Sequence, residues 1–196
     1  SKKYFLKFVH VWMLRYFLLS TRSPKWMILV ILCLLRNWKK LWKNTLAASS
    51  ADVGVTAVGF NALNALNGGN ANTAVGAYSA QGIQGGGNNT ALGNNSMGLT
   101  LAAMVTNNTA IGCDSLANVA ADNNTAVGYQ ASYSSTTATG ITTLGYQAGY
   151  ANIGNYNTYL GAYAGNLNTS GTNNTVVGFN ALSTAGTGGS NSVFGF

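Results

Sequence analysis

The sequence predicts an all-β fold, a parallel β-solenoid (β-roll) of about nine coils, and three observations carry that expectation. A glycine recurs at Gly59, Gly76, Gly93, Gly112, Gly128, Gly145, Gly161, Gly178 and Gly195, at intervals of 16 to 19 residues. The residue types around it are fixed: an apolar residue stands directly before every one of these glycines, from Val58 to Phe194, and a hydroxyl three before, from Thr56 to Ser192. A coil of this length is too short to hold a helix beside its strand and turns, so one short strand per coil, stacked on the next, is the architecture left.

The first element, residues 1–44, is a basic segment of aromatic and aliphatic runs, expected to be helical or disordered. All ten basic residues, all four tryptophans, the single histidine His10 and the single proline Pro24 fall within it. The formal charge of +7 for the whole chain is therefore ten positive charges in this piece less the three of Asp52, Asp114 and Asp122, the only charged residues of the remainder. The longest apolar run, Trp26 to Leu35, is half of the roughly 20 residues a membrane-spanning helix needs. Three readings of the segment stand side by side. It is a membrane-associated anchor whose cations snorkel to phosphates, a signal-like region with charges on the wrong flank of its apolar run, or translation not native to the repeats. The chain partners a membrane only on the first of these, and nucleic acid is not expected, because the cations are interleaved with aliphatic runs instead of lining a polar face. Residues 45–52 form a linker.

The third element is the repeat domain, residues 53–196. The chain opens on Ser1 and closes one residue past Gly195, so it reads as a segment of a longer protein, truncated at the C-terminus. Within each coil the hydroxyl position (Thr73, Thr90, Thr109, Thr125 and Thr175 among them) and the apolar position two later lie on one face of the strand. Asparagine precedes the hydroxyl in seven of nine copies, and shares the opposite face with the residue after the hydroxyl. We expect the Thr/aliphatic face to point inward and the asparagine face to lie outside or against a neighbour, making Asn89, Asn108, Asn124 and Asn174 candidate surface contacts. Three residues past each glycine only Ala or Ser occurs, from Ala62 to Ala181, so that place demands steric room. Stacked coils put like above like, and successive strands about 4.8 Å apart make nine coils a rod of roughly 40 Å. The aromatics after the glycine, Phe60, Tyr129, Tyr146 and Phe179, are expected to pack laterally, and Cys113 in the same slot to serve as a small hydrophobe.

The hexapeptides Asn88-Asn89-Thr90-Ala91-Leu92-Gly93, Asn107-Asn108-Thr109-Ala110-Ile111-Gly112 and Asn123-Asn124-Thr125-Ala126-Val127-Gly128 resemble the Asn-Ser-Val-Ala-Ile-Gly head repeat of YadA-type trimeric autotransporter adhesins. They resemble still more closely the Asn-Asn-Thr-Ala-Val-Gly-Tyr repeats of phage and virus tail-fibre-like proteins. The resemblance covers about residues 53–196. It implies a left-handed roll assembled as a homotrimer and displayed outside the cell or on a virion. Two departures stand out: Thr replaces the adhesin's Val, and the period is longer.

Chemistry that needs positioned acids, bases or nucleophiles is nearly excluded from the repeats, which contain no His, Lys, Arg or Glu. We therefore expect no enzyme, no cofactor and no metal site; the three aspartates do not recur at the repeat period. The expected function is a structural or adhesive fibre segment, shaft or head, that meets a host-surface receptor or glycan through outward Asn, Tyr and loop residues. Alternatives are a membrane-tethered surface repeat protein and an ice-binding solenoid. Ice binding is disfavoured by the expected facing, which buries the threonine row.

Overall fold

The computed structural model describes residues 52–98, 104–184 and 186–196; the 1–44 segment and residues 45–51 of the linker lie outside them. The described residues contain nine strands: β1 (Thr56–Val58), β2 (Thr73–Val75), β3 (Thr90–Leu92), β4 (Thr109–Ile111), β5 (Thr125–Val127), β6 (Thr142–Leu144), β7 (Thr158–Leu160), β8 (Thr175–Val177) and β9 (Ser192–Phe194). They form one parallel sheet in chain order, β1 to β9. The fold is a parallel β-solenoid of about eight turns with no helix among the described residues. Each strand is three residues long. Register is strict: Thr90 pairs with Thr73 below and Thr109 above, and Leu92 with Val75 and Ile111.

Pairing does not stop at the strand ends. The amide of Gly93 donates to Val75 O at 2.8 Å, that of Asn95 to Ala77 O at 2.9 Å, and that of Met97 to Ser115 O at 3.0 Å. Asn95 and Met97 sit at positive φ (54° and 51°), as do the residues two and four past the other repeat glycines through Leu182. A third left-handed corner precedes each strand, at Asn88 (φ 58°), Asn107 (58°) and Asn123 (62°) among others. Asparagine tolerates this region better than most residues, which accounts for the first member of the repeated Asn-Asn pair. Its amide continues the ladder, as Asn88 N–H does to Asn70 O at 3.0 Å. Each coil thus turns its corners while handing backbone hydrogen bonds to its neighbours.

The repeat glycine ends the strand where two backbones meet. Gly93 has φ 137°, and a Cβ there would sit 2.6 Å from Gly112 O and 2.7 Å from Gly112 C. Only a residue without a side chain lets consecutive coils stack at strand spacing through this corner.

The facing of the strands is the reverse of the sequence expectation. The central residue of each strand points inward: Ala74, Ala91, Ala110 and Ala126 are 0–1% exposed. The flanking threonines and aliphatics point out, with Val58, Leu92, Leu144 and Leu160 all more than 40% exposed. Asn89, Asn108, Asn124 and Asn174 are buried with the alanines, so they are not surface contacts. A single coil has a narrow interior. Small alanine side chains on the strand side leave room for Leu63, Leu66, Ile83, Met97, Leu116 and Val119 arriving from the turns opposite. Where the central residue grows, the opposing one shrinks: Tyr159 is fully buried, and a Cβ at Gly149 would lie 2.6 Å from Tyr159 Cδ2. Gly165 gives way to the same ring from the other side.

Replacing Gly93 by Ala should cost on the order of 2–4 kcal/mol, since the backbone it strikes cannot move without breaking the register. Gly186→Ala, with nothing nearer than Thr184 O at 3.8 Å, should change stability by less than about 0.5 kcal/mol. Thermal or denaturant unfolding of the two variants checks the contrast.

Candidate functional site

Two surfaces carry the possibilities: an interior spine of asparagines, and an outer face of threonines, aliphatics and aromatics. The spine comes first because it fixes the other. Asn72, Asn89, Asn108, Asn124, Asn157 and Asn174 are each 0–1% exposed. Each reaches the next coil with both ends of its amide. Asn89 Oδ1 accepts the Asn108 N–H at 3.0 Å while Asn89 Nδ2 donates to Val105 O at 2.7 Å. Asn108 repeats this with Asn124 N–H at 2.9 Å and Ala121 O at 3.0 Å, and Asn174 with Asn191 N–H at 3.0 Å and Gly188 O at 3.0 Å. The carbonyls served by Nδ2 lie outside the strands, three residues before the next coil's asparagine, in the irregular backbone that leads into its strand. Leaving such a carbonyl buried and unpaired costs about 1–3 kcal/mol, and asparagine supplies the donor.

The spine is interrupted once. Ile141 occupies the asparagine slot of its coil, donating its own N–H to Asn124 Oδ1 at 3.1 Å. Just beyond, a local polar cluster takes over: Asn157 Nδ2 donates to Asn152 Oδ1 at 2.8 Å, the Tyr159 hydroxyl donates to the same oxygen at 3.3 Å, and Asn168 Nδ2 donates to the Tyr159 hydroxyl. Burial pushes the Tyr159 phenol up to about 12, against the opposing pull of its Asn168 and Asn174 hydrogen bonds. Nothing in the repeat pattern announces Tyr159 as an interior residue; the available signal is the pair Gly149 and Gly165, glycines where other coils carry Leu63, Met97 or Leu116.

The outer face follows from strand parity. With Asn and Ala inside, Thr90, Thr109, Thr125, Thr142, Thr158 and Thr175 form one file and Leu92, Ile111, Val127, Leu144, Leu160 and Val177 a second, both solvent-facing or half-buried. The files run in register at about 4.8 Å per step. Beside them runs an aromatic row. Ring centroids lie 5.3 Å apart for Tyr129–Tyr146, 5.2 Å for Tyr146–Tyr163, 6.1 Å for Tyr163–Phe179 and 5.6 Å for Phe179–Phe196. Their contacts are mainly with one another, which matches the lateral packing expected of Phe60, Tyr129, Tyr146 and Phe179; Phe60 meets Tyr78 edge-on at 5.3 Å. Within the doubled asparagines it is the corner residues Asn88, Asn107, Asn123 and Asn173 that reach solvent, one place earlier than the sequence reading put them.

Of the residues singled out from sequence, Thr73, Thr90, Thr109, Thr125 and Thr175 and the nine repeat glycines form in-register files along the sheet edge. The asparagines are structural. Among the described residues no group of three His, Cys, Asp or Glu side chains converges. The Cys113 thiol is held above its ordinary value by burial first, then by the charge and hydrogen bond of Asp114, which keeps it protonated. Comparison with family models, with curated proteins and with solved structures gives no match to this chain.

Asn108→Ala leaves the Ala121 carbonyl and the Asn124 amide without their partner, and should cost about 2–4 kcal/mol. The adjacent exposed Asn107→Ala should cost less than about 1 kcal/mol; unfolding curves separate them. Tyr159 predicts an alkaline limb. Its folded pKa lies above the unfolded value of about 10, so the folded state keeps the proton longer and stability is lost as pH rises from about 10 through about 12. The loss should be up to about 2 kcal/mol and should be smaller in Tyr159→Phe, read from denaturation midpoints between those pH values.

Proposed function

We propose that the repeat domain is a non-enzymatic structural segment of an extracellular fibre or surface adhesin, a rod that associates with copies of itself and displays its corners and aromatic row to a receptor or glycan. The observation that carries this reading is the outer Thr/aliphatic face. Val58, Leu92, Leu144, Leu160 and Phe194 are 42–73% exposed in one in-register file. A contiguous apolar stripe of this kind is uncommon on a solitary soluble protein and marks an interaction surface. Burying it against other copies is the simplest way to remove it from water. The resemblance to adhesin heads and tail-fibre repeats implies three copies. Receptor contact then falls to what such packing leaves outside, including Asn88, Asn107, Asn123 and Asn173. Glycan recognition through ring faces is weakened by the rings' contacts with each other, so amides and phenol hydroxyls are the better candidates.

A second reading is favoured by one specific observation. The threonine row lies on the outer face and not in the interior, which removes the objection that the sequence raised against ice binding. Evenly spaced hydroxyls and methyls on a regular lattice are what an ice-binding face would need.

The two readings use the same surface and part on the oligomeric state. Sedimentation of the full chain should give a discrete trimer whose mass does not change with concentration. The Leu144→Glu, Leu160→Glu double variant, altered only at exposed positions, should fall apart to monomer. A wild-type monomer, or an assembly indifferent to the double variant, would overturn the fibre reading. Thermal hysteresis that vanishes when Thr90, Thr109 and Thr125 are replaced by Tyr would establish the ice-binding one.

A further inference from the structure

We propose that two parallel tyrosine stacks, Tyr133–Tyr150 and Tyr129–Tyr146, are sites of oxidative dityrosine formation that staple neighbouring coils covalently. The first pair has ring centroids 5.2 Å apart and planes inclined by 4°, the second 5.3 Å and 19°. In both pairs the residues are 17 positions apart, one coil above the other. Near-parallel stacking holds the two phenol rings of each pair side by side, the proximity that carbon–carbon coupling of two phenoxyl radicals requires.

The coils hold these rings in place. Ser134 N–H donates to Tyr150 O at 2.9 Å, and Gln147 N–H to Tyr129 O at 2.9 Å, so the backbone beside each ring is fixed to the coil that carries the other. Gln147 Nε2 also donates to Gln130 Oε1 at 2.8 Å, a side-chain tie beside the second pair. Tyr133 and Tyr150 are half-buried and Tyr129 and Tyr146 are over 40% exposed, so a small diffusible oxidant reaches both pairs. The other described tyrosines lack this arrangement. Tyr78 meets Phe60 edge-on, Tyr163 stands at 66° to Tyr146, and Tyr159 is buried among asparagines.

The chemistry needs a one-electron oxidant, such as a peroxidase supplied with hydrogen peroxide. Each phenol gives up one electron and its O–H proton to become a phenoxyl radical. The two radicals join through their ortho carbons, and the hydrogen on each of those carbons moves to oxygen as the rings regain aromaticity. The pair thereby loses two hydrogen atoms in all, and one peroxide is reduced to two waters. A described region without a disulfide framework or lysines gains in this way a covalent side-chain tie between coils, beside the hydrogen bonds and packing that already join them. The inference stands apart from the fibre reading, since both rings of each staple belong to one chain.

The test is peroxidase and hydrogen peroxide treatment of the dilute full chain, followed by denaturing gels and mapping of chymotryptic peptides by mass. The expected products are chains of unchanged gel mobility, lighter by two hydrogens per staple, with links joining Tyr133 to Tyr150 and Tyr129 to Tyr146. Links within a chain should exceed links between chains, because each stacked pair is in contact whatever the protein concentration. Tyr133→Phe keeps the ring and the stack, and should abolish the first link while leaving the second. Treatment in denaturant should erase the preference for both pairs. Links scattered evenly over Tyr78, Tyr156 and the stacked residues, links mainly between chains, or the same pattern in denaturant would overturn the proposal.

Discussion

A buried side-chain amide is the interaction on which the rest of this structure depends. Each coil has one three-residue strand, and the rest of its circumference is irregular backbone whose inward carbonyls have no strand to answer them. Asparagine answers with both ends, holding the N–H of the residue that leads into the next coil's strand and a carbonyl three residues before it. Because the amide must find the same geometry one coil up, the next coil has to present the same residue in the same register. Repetition is thus a consequence of the clip as much as of the glycine. With asparagine inside, strand parity puts the central residue of the strand inside as well, and the narrow interior keeps that residue small. The same parity leaves threonines and aliphatics on the outside. The exposed apolar face on which the functional proposal rests is therefore the geometric remainder of an interior built from amides.

The coils that break the pattern show which of its parts are negotiable. Ile141 takes the asparagine slot, and further amides, Asn152 and Asn168, gather around the next spine member Asn157 and the Tyr159 hydroxyl. Tyr159 replaces the central alanine, and Gly149 and Gly165 withdraw to admit its ring. Volume is conserved across the coil although no single position conserves it. The glycine at the strand end has no such freedom, because its neighbour is backbone, and all nine copies retain it.

Fold class, strand positions and in-register stacking were legible because they depend only on periodicity, which a repeat states many times over. The location of Gly59 to Gly195 at a tight corner was legible for the same reason. Facing was not. Ranking Val58 and Leu92 as interior and Asn89 and Asn108 as exterior follows average hydrophobicity, and here the demand of unpaired turn carbonyls outweighs it. A clue was present in the central residue, which is alanine in five successive strands from Ala57 to Ala126: strict smallness suits the inside of a thin coil better than its surface. The doubled asparagine carried a second clue, since one member turns the left-handed corner and only the other can be the clip. The aromatic row was legible as lateral packing, but which rings lie parallel depends on side-chain angles that no repeat motif encodes.

Hydrogen exchange of side-chain amides tests the central claim most directly, because the sequence places an exposed and a buried asparagine next to each other in four coils. Three of the pairs are Asn88 with Asn89, Asn107 with Asn108 and Asn123 with Asn124. If the clip holds the coils together, the Nδ2 protons of Asn89, Asn108 and Asn124 exchange far more slowly than those of Asn88, Asn107 and Asn123. Equal rates within the pairs, or protection of the first member instead of the second, would contradict the account.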